Sequence, residues 1–340
     1  MPVESPCVAV PAPEAERARR ILAGRGLLAR GLKAGRRGDR VLFPVRDSRE
    51  ALEALRAAGV RAEACVGVFE EYRRPGRVGD HVPGVSSYVV VGEAAIINER
   101  PGLPREALLE AARRIMELHP RVRGVYLKRG TEGGFRLARL ELLLGERVGE
   151  TIYREYGLEF VVDVEKVYVN PSLAAEHRRV AELASDGELF LDMFSGYGAF
   201  AIHAAHLHEL TAVSVDLNPH ASRLAIANVW RNKSKLRGRV IVVHADAAIL
   251  PEVLRGSFDR IVMNHPTEST RFIPVACRLL AGKGWVHLYR LSDAPEHAWE
   301  EARGAMEESG CEAELLGSRR VIEYSPRLSI YALDIEAGKA

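Results

Sequence analysis

The sequence predicts an α/β protein whose largest part is a Rossmann-like, mostly parallel sheet. From about residue 168 onwards, short apolar strands alternate with helical stretches, which is typical of βαβ units. Within this block, residues 189–202 have the pattern of an apolar strand, a glycine turn and a helix. The chain has 340 residues, 47% of them hydrophobic, so it is long enough for two or three domains with their own cores.

Residues 1–71 predict a small N-terminal α/β domain. Its expected elements are helices over 14–28 and 48–58 and strands over 41–45 and 60–68. Ser48 is the expected N-cap of the second helix. Residues 72–81 are rich in proline, glycine and charge, which is typical of a linker.

Residues 82–165 predict a middle α+β domain, and residues 166–340 contain the Rossmann-like sheet. The expected elements of the middle domain are strands over 88–91, 94–97, 122–127, 135–143 and 158–164 and a helix over 104–118. Pro104 is compatible with the first turn of that helix, because the first helical N–H groups have no partner within the helix.

Basic residues are unevenly placed along the chain. The formal net charge is only +2 at pH 7, so the overall field does not indicate a nucleic-acid partner. Between residues 17 and 46, however, the only acid is Asp39. The cations of this stretch are Arg17, Arg19, Arg20, Arg25, Arg30, Lys33, Arg36, Arg37, Arg40 and Arg46. Such a cluster can contact phosphates, and a solvated surface in an arginine-rich chain is the alternative.

Hydropathy and cysteine patterns exclude several classes of protein. No apolar run approaches the roughly 18 residues of a membrane helix, and the N-terminus lacks a signal-peptide pattern, so no membrane partner is expected. The four cysteines, Cys7, Cys65, Cys277 and Cys311, are scattered without a CxxC pair. This spacing predicts no metal site, no disulfide framework, and buried thiols in a reducing cytoplasm.

Strand-end signals within residues 189–266 predict a nucleotide-type cofactor at one edge of the sheet. Gly196 and Gly198 lack a Cβ, so the backbone can approach a ligand closely, and the helix start that follows offers free N–H groups to a carboxylate. Asp216 ends the next strand, where it can recognise ribose hydroxyls, and Asp246 follows the third strand, where it can accept the adenine amino group. These strand ends converge in one crevice.

S-adenosylmethionine fits these signals better than a nicotinamide dinucleotide. The dinucleotide fingerprint G-x-G-x-x-G needs a third glycine, and Ala201 stands in its place. Asp192, just before the glycine turn, is also more typical of methyltransferases than of oxidoreductases. The residues expected to hold the cofactor are Asp192, Phe194, Gly196, Gly198, Asp216, Leu217, Asp246, Ala247 and Asn264.

A further strand over 258–263 ends in Asn264-His265-Pro266, near the expected position of the methyl donor. An asparagine side chain offers one donor and one acceptor to a planar amide-like edge such as a nucleobase. Pro266 rigidifies the turn. The pattern therefore predicts a base-binding turn, and a simple turn after a strand is the alternative.

Over nearly its whole length the chain resembles the archaeal and eukaryotic-type tRNA (guanine-37-N1)-methyltransferases. Besides the cofactor block and the Asn-x-Pro turn, residues 149–157, GETIYREYG, resemble the family's ETIHKENG run. Residues 163–177, DVEKVYVNPSLAAEH, are similar to its D-x-x-K-V-Y-F-[SN]-P-R-L-x-x-E-R pattern, with Ser172 and His177 in place of two arginines. The G-D-x-x-x-F-P-V pattern at residues 38–45 resembles the family's small N-terminal domain.

This resemblance implies a Rossmann-like class I methyltransferase domain that uses S-adenosylmethionine, a middle α+β RNA-binding domain, and an N-terminal domain that grips tRNA away from the anticodon. It also implies a monomer. The catalytic residues that it implies are Arg136, Tyr168, Glu176, Asn264 and Pro266. Arg139 is a nearby rival for the role of Arg136.

These implied roles agree with the chemistry of guanine N1. Methylation there requires loss of the N1 proton, which Glu176 could accept, and negative charge then builds on O6, which Arg136 could stabilise. Asn264 would hold the base edge and Tyr168 would shape the pocket. Each of them has a structural alternative: Glu176 as a helix-face acid, Arg136 as a solvated cation, Tyr168 as a core residue.

Three other functions remain open at this stage. A wybutosine-pathway enzyme could transfer the aminocarboxypropyl group of the same cofactor at the same position, although Asn264, Pro266 and Glu176 argue against it. A methyltransferase could also act on a tricyclic guanine derivative. The chain could also be a non-catalytic RNA-binding protein, but the acids Asp192, Asp216 and Glu176 would then match an enzyme site only by coincidence.

Overall fold

A computed structural model describes the chain except residues 1, 30, 72–77, 79–81, 83–84, 86–87, 100–101, 134, 136, 255–256 and 340. The chain forms two compact units, Met1–Asp80 and His81–Ala340. The predicted linker, residues 72–81, falls almost wholly outside the described residues. The predicted boundary within the second unit, between residues 165 and 166, stays a prediction.

Over its described residues, the first unit has a four-stranded sheet and two α-helices. Its elements are β1 (Pro2–Pro11), α1 (Ala15–Gly24), β2 (Gly35–Arg37), β3 (Arg40–Pro44), α2 (Ser48–Ala57) and β4 (Glu63–Glu70). The sheet order is β2-β3-β1-β4, so β1, which was not predicted from the sequence, pairs with two neighbours. Asp47, rather than the predicted Ser48, caps α2, because its carboxylate accepts from the amides of Arg49 and Glu50.

The expectation of free thiols is wrong. The antiparallel pairing of β1 with β4 sets Cys7 opposite Cys65, and the two form a disulfide. Cys277 and Cys311 form a second disulfide. The partners are 58 and 34 positions apart, so chain folding and not local spacing brings them together. All four cysteines belong to the described part of the chain, and none of them is free.

The second unit contains the predicted parallel sheet. Its elements are α4 (Ala174–Leu183), β11 (Leu189–Asp192), α5 (Ala199–Leu207), β12 (Thr211–Asp216), α6 (Pro219–Asn232), β13 (Arg239–His244), α7 (Leu250–Val253), β14 (Phe258–Met263), α8 (Ile273–Leu279), β15 (Leu280–Ser292), α9 (Pro295–Glu308), β16 (Cys311–Glu323) and β17 (Ser329–Lys339). The order is β13-β12-β11-β14-β15-β17-β16. The first five strands are parallel, and β17 is antiparallel to both neighbours.

Two smaller sheets precede it. Their elements, with one helix, are β5 (Tyr88–Val91), β6 (Ala94–Asn98), α3 (Arg105–Leu118), β7 (Gly124–Glu132), β8 (Leu137–Gly145), β9 (Thr151–Glu155) and β10 (Leu158–Val162). β5 to β8 form one sheet in sequence order, and β9 and β10 form a hairpin. Among the described helices, none has the length and hydropathy required to cross a membrane.

Two buried asparagines of α6 fix the hairpin β9–β10 beside the parallel sheet. The Oδ1 atom of Asn228 accepts from the amide of Val161 (2.6 Å), and its Nδ2 donates to the carbonyl of the same residue (3.1 Å). Asn232 makes the same pair of bonds to Glu159, at 3.0 and 2.7 Å. The side-chain amides therefore act as a further strand would, which satisfies the edge of the hairpin.

Candidate active site

A cavity of about 420 Å³ lies at the carboxyl edge of the parallel strands, where β11 has β12 on one side and β14 on the other. Doubly wound sheets bind ligands in such a crevice, and the volume is in the range of cofactor sites. The predicted site residues that line the cavity are Tyr168, Phe194, Gly196, Asp216, Leu217, Asp246, Ala247, Asn264 and Pro266. Asp192, Gly198 and Glu176 do not line it, and Arg136 lies outside the described residues.

The two glycines of the turn after β11 have different functions. Gly196 lines the cavity and has a φ of 54°, which glycine adopts without strain. Gly198 has a φ of 87° and is the N-cap of α5, where an added Cβ would lie 3.2 Å from the Cβ of Ala225 on α6. Gly198 therefore permits the close packing of two helices, while only Gly196 is at the cavity wall.

The carboxylate of Asp216 joins the ends of two strands. Its Oδ2 accepts from the amide of Gly196 (2.7 Å), and its Oδ1 accepts from the amide of Asn218 (2.8 Å). Burial raises the pKa of Asp216, and the two amide donors oppose this shift. Asn218 is tied further to the rest of the site, because its Nδ2 donates to the carbonyl of Lys166 (2.8 Å).

Asp192, at the end of β11, is fully buried beneath the cavity wall. Within the described part of the chain, neither of its carboxylate oxygens accepts a hydrogen bond of good geometry, although the nearby amide of Phe194 acts to lower its pKa. Burial raises the pKa of Asp192 well above its usual range, and the negative charge of Asp216 acts in the same direction. A charged carboxylate is costly at such burial, so the surroundings of Asp192 favour its neutral form.

Asp246 is exposed at the end of the third strand and caps the short 3-10 turn Ala247–Ile249. One of its oxygens, Oδ1, accepts from the amide of Ala248 (2.8 Å). The cap fixes the carboxylate at the cavity wall beside the buried Ala247. Asp246 thus lines the cavity, and its contact with the adenine amino group stays a prediction.

The turn Asn264-His265-Pro266 is fixed at both ends. Before it, the amide of Met193 donates to the carbonyl of Val262 (3.0 Å), and after it, the amide of Leu291 donates to the carbonyl of Pro266 (2.9 Å). Both Asn264 and Pro266 line the cavity. This turn is therefore a rigid part of the wall, since strands on either side hold its backbone.

Tyr168 lies on the cavity wall before α4. Its hydroxyl accepts from the Nδ2 of Asn170 (3.1 Å), whose Oδ1 in turn accepts from the amide of Ser172 (3.1 Å). Both Tyr168 and Asn170 line the cavity. The Asn-Pro-Ser sequence thus forms a capped turn that orients the tyrosine next to the start of α4.

Glu176 is buried in the first turn of α4, but it does not line the cavity. Both carboxylate oxygens accept from the Arg179 guanidinium at 2.8–3.0 Å, and Oε2 also accepts from the hydroxyl of Tyr289 (3.0 Å). Its neighbours Leu173 and His177 do line the cavity. The predicted base is therefore next to the cavity wall but held by an ion pair.

A buried cluster beside the cavity was not predicted from the sequence. The Oε2 atom of Glu155 accepts from His177 (Nδ1, 2.8 Å) and from His203 (Nε2, 3.0 Å), and Oε1 accepts from the hydroxyl of Tyr197. Glutamate and histidine are metal-ligand types, but here both nitrogens contact one oxygen at hydrogen-bond distance. No local spacing reveals the cluster, because its members come from a hairpin, two helices and the glycine turn.

Hydrogen bonding also explains the protonation of this cluster. Burial raises the pKa of Glu155, but the bonds from His177 and His203 outweigh it and hold that pKa at about 2. Burial lowers the pKa of His203. An ionised Glu155 therefore joins the hairpin β9–β10 to the two helices that flank the cavity.

Three features define a Rossmann-like enzyme of the class I methyltransferase type. They are the strand order, the cavity at the point where the strand order reverses, and the acids at the strand ends. Residues 151–315 match the TRM5/TYW2 methyltransferase domain, and residues 7–53 match the tRNA methyltransferase 5 N-terminal domain. The tRNA (guanine(37)-N(1))-methyltransferase Trm5b of Pyrococcus abyssi is 32% identical over 96% of this chain and 97% of that protein. The chain therefore belongs to the TRM5/TYW2 methyltransferase family.

Two further relatives indicate the range of this similarity. The solved complex of aTrm5 with tRNALeu is 26% identical, covers 97% of this chain and 99% of that chain, and has a TM-score of 0.67. The tRNA 4-demethylwyosine(37)-methyltransferase Taw21 of Saccharolobus solfataricus is 33% identical over 59% of this chain and 76% of that protein. The similarity thus includes relatives with different guanine-derived targets.

Proposed function

We propose that this chain is a tRNA (guanine37-N1)-methyltransferase that uses S-adenosylmethionine. The observation that carries the proposal is the cavity, because its lining combines most of the predicted cofactor residues with the Asn264–Pro266 turn and Tyr168. Similarity to the Trm5b methyltransferase over nearly the full length of both chains supports the same reaction and the same target.

The residues of the cofactor side fit S-adenosylmethionine. The backbone at Gly196 leaves room for the amino-acid half of the cofactor, whereas the predicted contact of Asp192 with that half stays a prediction, because Asp192 does not line the cavity. Asp216 is suited to ribose hydroxyls and Asp246 to the adenine amino group, because each is a fixed carboxylate at the wall. When bound, S-adenosylmethionine supplies an electrophilic methyl group on a sulfonium.

The target side must hold guanine and remove its N1 proton. Asn264 would pair with the base edge, and Tyr168 would confine the ring. Glu176 would accept the proton at a carboxylate oxygen while Arg136 stabilises the charge on O6. Since methyl transfer needs little beyond alignment, fixing the base against the wall provides much of the acceleration.

The N-terminal unit would contact another part of the tRNA through its basic cluster. Several of these cations are already paired, since Lys33 contacts Glu70 and Arg40 contacts Glu63. The exposed Arg36 and Arg37 of the short strand β2 have no acid partner among the described residues, and they are candidates for phosphate contacts. We expect the chain to act as a monomer in the cytoplasm; the support for this location is the similarity to tRNA-modifying enzymes, since the two disulfides remove the argument from free thiols.

The proposal is tested by incubating the purified chain with S-adenosylmethionine and unmodified tRNA that carries guanine 37. Mass spectrometry of the digested tRNA should then detect 1-methylguanosine at that position. The control is the same transcript with adenosine at position 37, which lacks the N1 proton and the O6 atom. An aminocarboxypropyl adduct, or no adduct, would refute the proposal.

A second candidate is methylation of a tricyclic guanine derivative at the same position. The similarity to the Taw21 methyltransferase supports it, since that relative is named for 4-demethylwyosine. The same assay on tRNA that already contains 4-demethylwyosine distinguishes the two substrates. Methylation of both would make the chain bifunctional.

A further inference from the structure

The carboxylate of Glu176 is the first member of a buried chain of charges. Arg179 contacts both of its oxygens from the same helix, three positions along, and Tyr289 of β15 donates to Oε2. The side chains of Glu176 and Arg179 are only 9% and 15% exposed. At such burial the bidentate pair fixes the orientation of the carboxylate, because no competing water can replace the guanidinium easily.

Arg179 is itself held by a second acid. Its Nη1 and Nη2 atoms donate to the two carboxylate oxygens of Asp334 on β17, at 2.9 and 3.1 Å. Asp334 also accepts from Arg319 of β16 at 3.3 Å. Arg179 therefore spans two carboxylates and is positioned by the sheet, not only by its own helix.

Asp334 is held in turn by His287, and the partners of His287 determine its tautomer. The Nδ1 atom of His287 contacts Asp334 at 2.6 Å, and its Nε2 contacts the Nη1 of Arg260 at 2.8 Å. A guanidinium can only donate, so Nε2 must be the bare acceptor and Nδ1 must carry the proton. Burial lowers the pKa of His287, which agrees with this neutral form.

Strand register explains why these residues meet. His287 and Asp334 are direct partners in the antiparallel pair of β15 and β17. Tyr289 follows two positions later on β15, so it lies on the same face of the sheet. Arg260 of β14 is anchored by Glu188 at 2.8 and 2.9 Å, which closes the network at the other end.

We infer that Arg179, Asp334 and neutral His287 are positioning residues for the carboxylate of Glu176. The inference rests on the proposed function, in which Glu176 accepts the N1 proton. The network holds this carboxylate in one orientation beside the cavity, so that the base is already positioned when guanine binds. None of the three touches the cavity wall, so they act through Glu176 alone.

The test compares single-turnover methyl transfer by folded variants at saturating cofactor and tRNA, as a function of pH. Asp334→Asn and Arg179→Lys should each slow transfer about 10-fold and leave S-adenosylmethionine affinity unchanged. The acidic limb of the Asp334→Asn rate profile should also move to lower pH, because a negative charge near the carboxylate has been removed, whereas Arg179→Lys keeps the charge and should leave the limb in place. His287→Leu should slow transfer as Asp334→Asn does.

Two variants separate positioning from a merely structural role. His287→Gln retains a donor for Asp334 and an acceptor for Arg260, so it should restore most of the rate that His287→Leu loses. Arg178→Lys is the matched control, since Arg178 lies on the same helix but pairs with the exposed Glu182. It should keep the rate and pH profile of the parent.

The outcomes distinguish the inference from the function beneath it. If the parent methylates guanine 37 but folded Asp334→Asn and Arg179→Lys keep its rate and profile, the inference alone fails. A loss of cofactor affinity equal to the loss of rate would also overturn it. If the parent chain does not methylate tRNA at all, the proposed function fails and the inference fails with it.

Discussion

The Oδ2 atom of Asp216 accepts a hydrogen bond of 2.7 Å from the amide of Gly196. This bond joins the acid at the end of β12 to the glycine turn at the end of β11. Both residues line the cavity. The two cofactor signals in the sequence are therefore parts of one hydrogen-bonded unit, and a change in Asp216 should affect both.

Asp216→Asn should weaken S-adenosylmethionine binding about 10- to 100-fold. An asparagine in this position either turns its amide towards the Gly196 N–H, where two donors would face each other, or loses an acceptor for a ribose hydroxyl. Isothermal titration calorimetry measures the affinity. Asp39→Asn, an exposed change in the N-terminal unit, is the control and should leave affinity unchanged. Equal affinity of Asp216→Asn and the parent would remove Asp216 from the cofactor site.

Glu176→Gln should reduce the rate of methyl transfer about 100-fold or more without changing cofactor affinity. The amide fits the same space but cannot take the N1 proton. Arg136→Ala should have a similar effect if the guanidinium stabilises O6, and Arg139→Ala is its matched comparison. Single-turnover assays and cofactor titrations separate the two properties. A parallel loss of cofactor affinity would show that either residue serves the cofactor and not the base.

The sequence could predict the parts of the site that local pattern determines. Gly196, Asp216, Asp246 and Asn264 each stand at the end of an apolar strand or within four residues after it, and parallel strands bring their carboxyl ends together, so their meeting at one cavity follows from the strand order. The sequence could not predict that Gly198 packs against a helix, because that depends on how α5 and α6 approach each other.

The buried networks could not be predicted, because their members are distant in the chain. Arg179 and Asp334 are 155 positions apart, and only the pairing of β15 with β17 places the acid beneath α4. Each member has an ordinary surface alternative when viewed alone, because arginines and acids on helices and strands are usually solvated. Tertiary packing determines which of these residues is buried, and the periodicity of the sequence does not indicate it.

Acid should destabilise the folded chain in two stages. Burial lowers the pKa of His203 and His287 below their ordinary value of 6.5, so the unfolded chain binds more protons and stability falls as the pH drops below about 6.5. The pKa values of Glu155 and Asp334 are held at about 2. Their contribution to the free energy of unfolding is therefore complete at pH values above their ordinary pKa values, and it is lost as the pH falls towards 2.

Urea unfolding at a series of pH values measures this profile. Glu155→Gln should flatten the lower stage, since an amide does not titrate, whereas the exposed Glu252→Gln should leave the profile unchanged. A Glu155→Gln variant that keeps the full slope of the parent in the lower stage would contradict the role of this carboxylate in acid stability.

Binding to tRNA should weaken steeply with salt if the basic N-terminal unit contacts phosphates. Replacing Arg36 and Arg37 with alanine should lower affinity and reduce the slope of log K against log salt by about 0.9 per lost phosphate contact. Filter binding over a range of salt concentrations provides the slope. Arg113→Ala, which removes an exposed cation of α3 that is paired with Glu110, is the control. An unchanged slope would indicate that Arg36 and Arg37 are solvated and do not contact the phosphates of the tRNA.

The disulfide Cys277–Cys311 should contribute about 2–4 kcal/mol to the free energy of unfolding of the catalytic unit. It closes a segment that includes α8, β15 and α9, so the bond restricts the unfolded chain while both sulfurs lie in the core. The double variant Cys277→Ala, Cys311→Ala should have a lower urea midpoint than the parent. A reducing agent should lower the midpoint of the parent, but it should not lower the midpoint of a variant in which Cys7 and Cys65 are replaced as well. Thiol titration of the denatured, unreduced parent should detect no free thiol. Four reactive thiols in that sample would mean that the cysteines are unpaired, as the scattered spacing first indicated.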